Sequence, residues 1–228
     1  MLRTFIKRQR LYRRLIIHHL PLAAASLMSG FLLYITRPYP DVITRLSFST
    51  AYPAMALLAA TLVIGPLNLW TSRPNPISSN LRRDIGIWAG IMGLAHAGIG
   101  QCVHLRGKPW LYYVYGAQDH KHIFPIRHDL FGFSNYTGLV SVLLLAALFA
   151  TSNDWSLKKL GTPQWKSLQR WNYLVFVAAG AHAIGYLFIE KQKLNFDVTI
   201  AIFLAIALVF QGVGYLLRRQ QLAGTGNA

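Results

Sequence analysis

Two histidines, His96 and His182, lie deep inside long apolar segments of this 228-residue chain, IGIWAGIMGLAHAGIGQCV and YLVFVAAGAHAIGYLFI. An ionisable side chain at such a place is costly to insert into a bilayer, marks a functional site and calls for a named partner. Imidazole is a common axial ligand of haem iron, so one histidine on each of two helices could hold a single iron between them. Two other readings stay open on the residues alone: a hydrogen-bonded packing residue or a station in a proton relay. Small residues surround both positions, Ala95, Ala97, Gly98 and Gly100 on one segment and Ala179, Gly180, Ala181, Ala183 and Gly185 on the other. Such residues let helices approach closely, and they equally leave room for a flat macrocycle against a helix face.

The remaining histidines fall into three groups. His104 follows His96 by eight residues and, on a continuous helix, stands about 12 Å further along the axis and about 80° around it, too far to share one iron. His18 and His19 adjoin the basic start of the first apolar segment, where interfacial anchoring is expected. His120, His122 and His128 lie in a long loop from Leu105 to Ser134. Loops of that length are often functional, so its DHKH run is a candidate metal-docking or acceptor site. The adjoining WLYYVY is expected to rest at the lipid headgroups. Cys102, the single cysteine, reads as a small packing residue and permits no internal disulfide.

The elements that position these residues follow from composition. With 54% hydrophobic and 13% charged residues, the chain carries more apolar surface than a soluble domain of this size needs. Six segments approach the roughly 20 apolar residues required to cross a bilayer. They run near Leu15 to Ile35, Thr50 to Trp70, Leu81 to His104, Tyr136 to Thr151 (reaching back to Phe131), Trp171 to Ile189, and Val198 to Leu217. Pro53 is expected in the first turn of the second span, where its missing donor is harmless. The first segment lacks a convincing cleavage site and is expected to stay as a span. With the N-terminus inside, fifteen Lys and Arg flank the inner side and eight the outer, so both termini are expected in the cytoplasm. The tail RRQQLAGTGNA is expected to lack structure.

Measured from Arg82 and Arg170 at the inner ends of spans three and five, His96 lies about 21 Å and His182 about 18 Å along parallel helices. Their depths therefore match within a turn. The net charge of +16 gathers at the segment ends, where it orients helices and meets anionic lipid, and no module for nucleic acid accompanies it. Phosphate-loop, CxxC, HExxH and serine-elbow motifs are absent, and no flavin or nicotinamide domain is expected within these 228 residues. Span interiors hold almost no acidic residue, which disfavours a proton- or cation-coupled transporter.

The segment LRRDIGIWAGIMGLAH, Thr151 and Ser152, Leu160 and Gly161, and WKSLQRWNY closing on His182 resemble the ferric reductase-like transmembrane domain. That family includes ferric reductases, NADPH oxidases and the haem-binding membrane subunit of the bacterial methionine sulfoxide reductase system. The resemblance implies an all-α, integral membrane six-helix bundle with both termini cytoplasmic, holding b-type haem between its third and fifth spans. It also implies 1–14 as a basic N-terminus, 15–217 as the six-span domain and 218–228 as a cytoplasmic tail. Two-haem members have a second histidine pair 13 or 14 residues earlier, where this chain has Arg82 and Gln169. One haem b on His96 and His182 is therefore implied, and Arg82, Arg83 and Gln169 are left to meet a quinone headgroup or a partner's flavin.

The function expected is a b-type cytochrome in the plasma or bacterial inner membrane. It would take single electrons from a separate soluble reductase or a quinol and deliver them to a periplasmic or extracellular protein or metal ion. The competing expectation is a haem-free six-span transporter or structural membrane protein.

Overall fold

The computed structural model describes residues 9, 11–37, 39–71, 75–105, 107–117, 121–190 and 194–225. Seven α-helices run in order: α1 (Leu20–Thr36), α2 (Val42–Trp70), α3 (Asn75–Gly100), α4 (Leu130–Thr151), α5 (Asp154–Gln169), α6 (Asn172–Glu190) and α7 (Leu194–Thr225). A π-helical turn (Leu15–His19) precedes α1, and a 3-10 turn (Pro109–Tyr112) lies in the long loop. Among the described residues the only β pairing is an isolated bridge between Val114 and Ile126.

Among the described residues five helical runs are long and apolar enough to cross a membrane: Leu11–Thr36, Val42–Trp70, Leu130–Thr151, Asp154–Ile189 and Val198–Gln221. The sixth expected span, α3, is a full helix but falls outside that set. Arg82, Arg83 and Asp84 make its first half polar, and glycines and His96 dilute its second. Exposed Leu27, Met28, Phe31 and Leu32 on α1, with Leu208 and Val209 on α7, give these helices apolar outer faces. A helix apolar all round has protein on one side and lipid on the other.

The centre of the bundle is α2, which packs against α1, α3 and α7, while α4 packs against α6. Leu58, Leu62, Leu145, Leu148 and Val175 form the middle of the core. Asp41 caps α2 by accepting from the Thr44 amide at 2.9 Å, so the helix begins at Val42, eight residues before the expected Thr50. Such a cap contributes about 0.5–2 kcal/mol. Pro53 consequently lies in the helix interior, not its first turn. A proline there leaves the carbonyl four residues earlier without its helical donor. For Pro53 this is Ser49 O, and it lies against Gly30 of α1, where a Cβ would come within 2.9 Å of it. For Pro66 it is Leu62 O, which accepts instead from the Gln211 amide of α7.

Replacing Gln211 by alanine leaves that carbonyl unpaired, with an expected cost of about 1–3 kcal/mol. Thermal unfolding followed by circular dichroism should show the lowered stability, and a wild-type transition would contradict this account of Pro66.

Other boundaries differ for identifiable reasons. Asp129 caps α4 through the Gly132 amide at 2.7 Å, setting its start at Leu130. The helix expected to reach His104 ends at Gly100, whose carbonyl accepts from the Tyr112 hydroxyl at 3.1 Å. The segment before span five forms α5, capped by Asn153 and bent at Gly161, whose φ of 74° suits only glycine well. The expected unstructured tail is helical as far as Thr225.

At the end of the bundle where the π-helical turn meets α3, Asp84 of α3 is fully buried. Arg14 binds it through Nε at 2.9 and 3.0 Å and through Nη2, His18 Nδ1 approaches at 2.7 Å, and His19 Nε2 at 3.4 Å. The π turn makes this convergence possible, because its i→i+5 bonding brings positions 18 and 19 both above 14. Pro21 follows directly and cannot donate to Ile17 O, which removes one α-helical bond at that point. His18 and His19 are thus partners of a buried carboxylate, a correction to their expected role as interfacial anchors.

Candidate functional site

His96 sits near the end of α3 and His182 in the middle of α6, and the two ring centroids are 6.1 Å apart. Their depth match, inferred from spacing, is realised as a neighbouring pair whose ring planes lie at 70°. His96 Nδ1 lies 3.1 Å from Ser47 O of α2, and His182 Nδ1 lies 2.8 Å from Ser134 O of α4. A carbonyl only accepts, so each Nδ1 carries the proton and each Nε2 presents a lone pair. A metal-bound imidazole characteristically donates its other N–H in this way.

The separation has a simple interpretation. An imidazole nitrogen binds a metal at about 2 Å and lies about 1 Å from its ring centre, so two rings trans on one ion have centroids about 6 Å apart. Among the described residues no cluster of three or more His, Cys, Asp or Glu could hold a bare ion. The pair could offer a metal two imidazole donors, so any further donors would have to come from a bound group. Gly93, Ala97, Gly100, Gly138, Ala179 and Ala183 line the cavity around the rings. A Cβ at Gly138 would lie 2.6 Å from His182 Nδ1, and one at Gly185 would overlap Ser134 Oγ. These glycines let α4 approach α6 closely enough for the Ser134 carbonyl to meet the imidazole. A Cβ at Gly98, by contrast, would meet nothing within 4 Å, and that glycine is exposed.

Tyr186, one helical turn beyond His182, packs on that ring at 4.9 Å and donates to Asn135 Oδ1 at 2.9 Å. Its ring also stacks on His104 at 5.7 Å. Because α3 stops at Gly100, His104 turns back to the rim of the same cavity instead of continuing along the axis. Tyr112, expected at the headgroup level, is buried and accepts from the His104 amide at 2.9 Å. Burial also pushes the Tyr113 phenol up, keeping it protonated at neutral pH. Cys102 is exposed, not packed.

In the long loop, His122 stacks face to face on Tyr115 at 3.8 Å, and His128 meets both rings edge-on. His120 lies outside the described residues, as do Arg3, Lys7, Arg8, Arg10, Arg73, Arg106, Lys191 and Lys193 of the charge count.

A second cavity, of about 690 Å³, opens where the first half of α3 meets the end of α5 and the last turns of α7. Arg82, Arg83 and Gln169 all line it, together with Lys166, Arg170 and Arg218 from α5, the turn after it and α7. Arg83 donates to Asp154 at 2.8 Å, while its buried Nε has no partner. Where a second imidazole pair would be needed, the chain thus presents a basic pocket. Sequence reasoning missed Lys166, Arg170 and Arg218 here because they come from separate helix ends.

An all-helical membrane bundle in which two imidazoles from different helices line one cavity defines the class of site. No protein-family model matches the chain. The chain is similar to the protein-methionine-sulfoxide reductase heme-binding subunit MsrQ of Yersinia pseudotuberculosis serotype O:1b (strain IP 31758), being 28% identical over 163 residues, 71% of each chain. It is equally similar to the subunit of that name from Yersinia pestis (strain Pestoides F), 28% identical over 163 residues, 71% of this chain and 70% of the relative.

Proposed function

We propose that this chain is a ferric reductase-like, membrane-bound b-type cytochrome subunit. It passes single electrons from a donor on the cytoplasmic side to an acceptor at the outer face of a plasma or bacterial inner membrane. The observation that carries the reading is the approach of His96 and His182 to 6.1 Å with both Nδ1 atoms on backbone carbonyls. The likeness to subunits named for haem binding supports it independently.

In this reading six helices span the bilayer with both termini cytoplasmic. One haem b, bound between α3 and α6, supplies a one-electron couple whose potential depends on its axial ligands, hydrogen bonding and burial. The chain's own residues set those conditions. Ser47 and Ser134 hold the two imidazoles in one tautomer and orientation, the small residues keep the slot flat, and Met55, Leu58 and Leu145 exclude water. At the cytoplasmic end the basic pocket of Arg82, Arg83 and Gln169 receives the donor, a separate reductase or a quinol. At the outer end the acceptor is a protein, as the relatives' name as reductase subunits suggests, with a metal ion as the other candidate.

The test is spectroscopic and vectorial. Protein reconstituted in liposomes should show reduced-haem bands with dithionite, and a membrane-impermeant oxidant at the loop side should abolish them. A colourless protein, or haem that only an oxidant on the opposite side reaches, would overturn the proposal.

Replacing Gly138 by alanine pushes a methyl group into His182 Nδ1 and breaks its bond to Ser134 O. Losing such an orienting partner is expected to weaken haem binding about 10–100-fold. Titration of the apoprotein with haem measures this directly; unchanged affinity would show that Ser134 does not orient the ligand.

A further inference from the structure

The long loop ends in a short hairpin, closed by the Val114–Ile126 bridge and by backbone bonds from Tyr115 to Pro125 O (2.7 Å) and from Arg127 to Tyr113 O (2.9 Å). Its returning segment carries Ile123, Phe124, Pro125 and Ile126, four consecutive exposed apolar residues; Ile123 is 95% and Phe124 72% exposed. An exposed apolar run of this kind marks an interaction surface.

The hairpin does not stand above the bundle. The Tyr136 hydroxyl donates to Tyr113 O, and Tyr136 lies six residues inside α4. That is about 9 Å from the helix start, with its side chain leaning back toward that start. A Cβ on Gly132 would come within 2.9 Å of Arg127 O, so the chain at Arg127 also lies close against the first turn of α4. The apolar run is thereby fixed beside the outer turns of a membrane-length helix. On α4 itself, exposed Leu130, Phe133, Val140 and Leu143 continue the same surface along the bundle. Lys121 is exposed just before the run, where a cation would meet lipid phosphates.

From this continuity we infer that residues 123–126 insert into the lipid headgroup and upper acyl layer, as an interfacial anchor that holds the loop over the His104 rim. The occupant of this surface is lipid, not a soluble partner. The inference rests on the membrane bundle and is independent of haem.

Site-directed spin labelling in nanodiscs of phosphatidylethanolamine and phosphatidylglycerol tests it. In a Cys102→Ser background, nitroxides are placed by Ile123→Cys, Phe124→Cys and, as a reference, Lys121→Cys. Gel filtration and circular dichroism confirm that each variant folds. Labels at 123 and 124 should relax several-fold more with oxygen than with a water-soluble nickel chelate, and the label at 121 should show the reverse. Preferential relaxation by nickel at both 123 and 124 would mean a water-exposed face open to a soluble partner, and would overturn the inference.

Discussion

Replacing His182 by alanine is expected to take the haem content of the purified protein from one per chain to near zero while leaving the bundle folded. The variant would remove one of the two proposed donors, while Ser134 O keeps its hydrogen bond from the Thr137 hydroxyl at 2.9 Å, so little stability is lost there. The core residues Leu58, Leu62, Leu145 and Val175 remain packed, so the loss should be local. His96→Ala should behave alike, since it too supplies one donor from a carbonyl-anchored ring. Absorbance of the dithionite-reduced protein, with far-UV circular dichroism as the folding control, reads both effects. Added imidazole should restore part of the signal, because the small-residue cavity then holds a free ligand where the side chain stood. Wild-type spectra in both variants would mean that neither ring binds the iron.

The largest expected effect on stability comes from Asp84→Ala. The carboxylate is buried, and Arg14, His18 and His19 all turn toward it. Removing one partner of a buried pair typically costs about 3–5 kcal/mol, and the 22% exposure of Arg14 places this site at the lower end of that range. The π turn and the start of α1 would lose their tie to α3, so the N-terminal helix should loosen first. Thermal unfolding should fall by several degrees, and limited proteolysis should cleave near Arg13 and Arg14 sooner than in the wild type. Combining Asp84→Leu with Arg14→Met should recover part of the loss, because no unpaired charge then remains. An Asp84→Ala transition equal to wild type would show that the cluster contributes little.

What the sequence made legible was set by which interactions are local. Helix positions followed from apolar runs, and the equal depth of His96 and His182 followed from helical rise alone, because both count from charged residues at the same end. Boundaries were misplaced where a single side chain decides them, as with Asp41 before α2, Asp129 before α4 and Tyr112 at the end of α3. His104 was misdirected for that last reason, since its position had been reckoned along a helix that does not extend so far. Ser47 and Ser134 act through backbone carbonyls, and a backbone contact leaves no residue-type signal. Tyr186 was findable, being four residues from His182 and so on the same helix face. The Asp84 cluster was hidden by a π turn, because α-helical periodicity does not place two consecutive histidines over one arginine. The basic pocket was half legible: Arg82, Arg83 and Gln169 stood where a second imidazole pair was missing, but the other cations come from distant segments.

That substitution at Arg82 and Gln169 also makes the claim of one haem testable in its own right, apart from whether haem is present at all. The most direct measurement is the haem-to-protein ratio of the purified chain by pyridine haemochrome absorbance, paired with electron paramagnetic resonance of the oxidised form. One haem per chain with a low-spin, bis-imidazole signal is the expected result. A ratio near two, or a chain that folds and binds none, would contradict it.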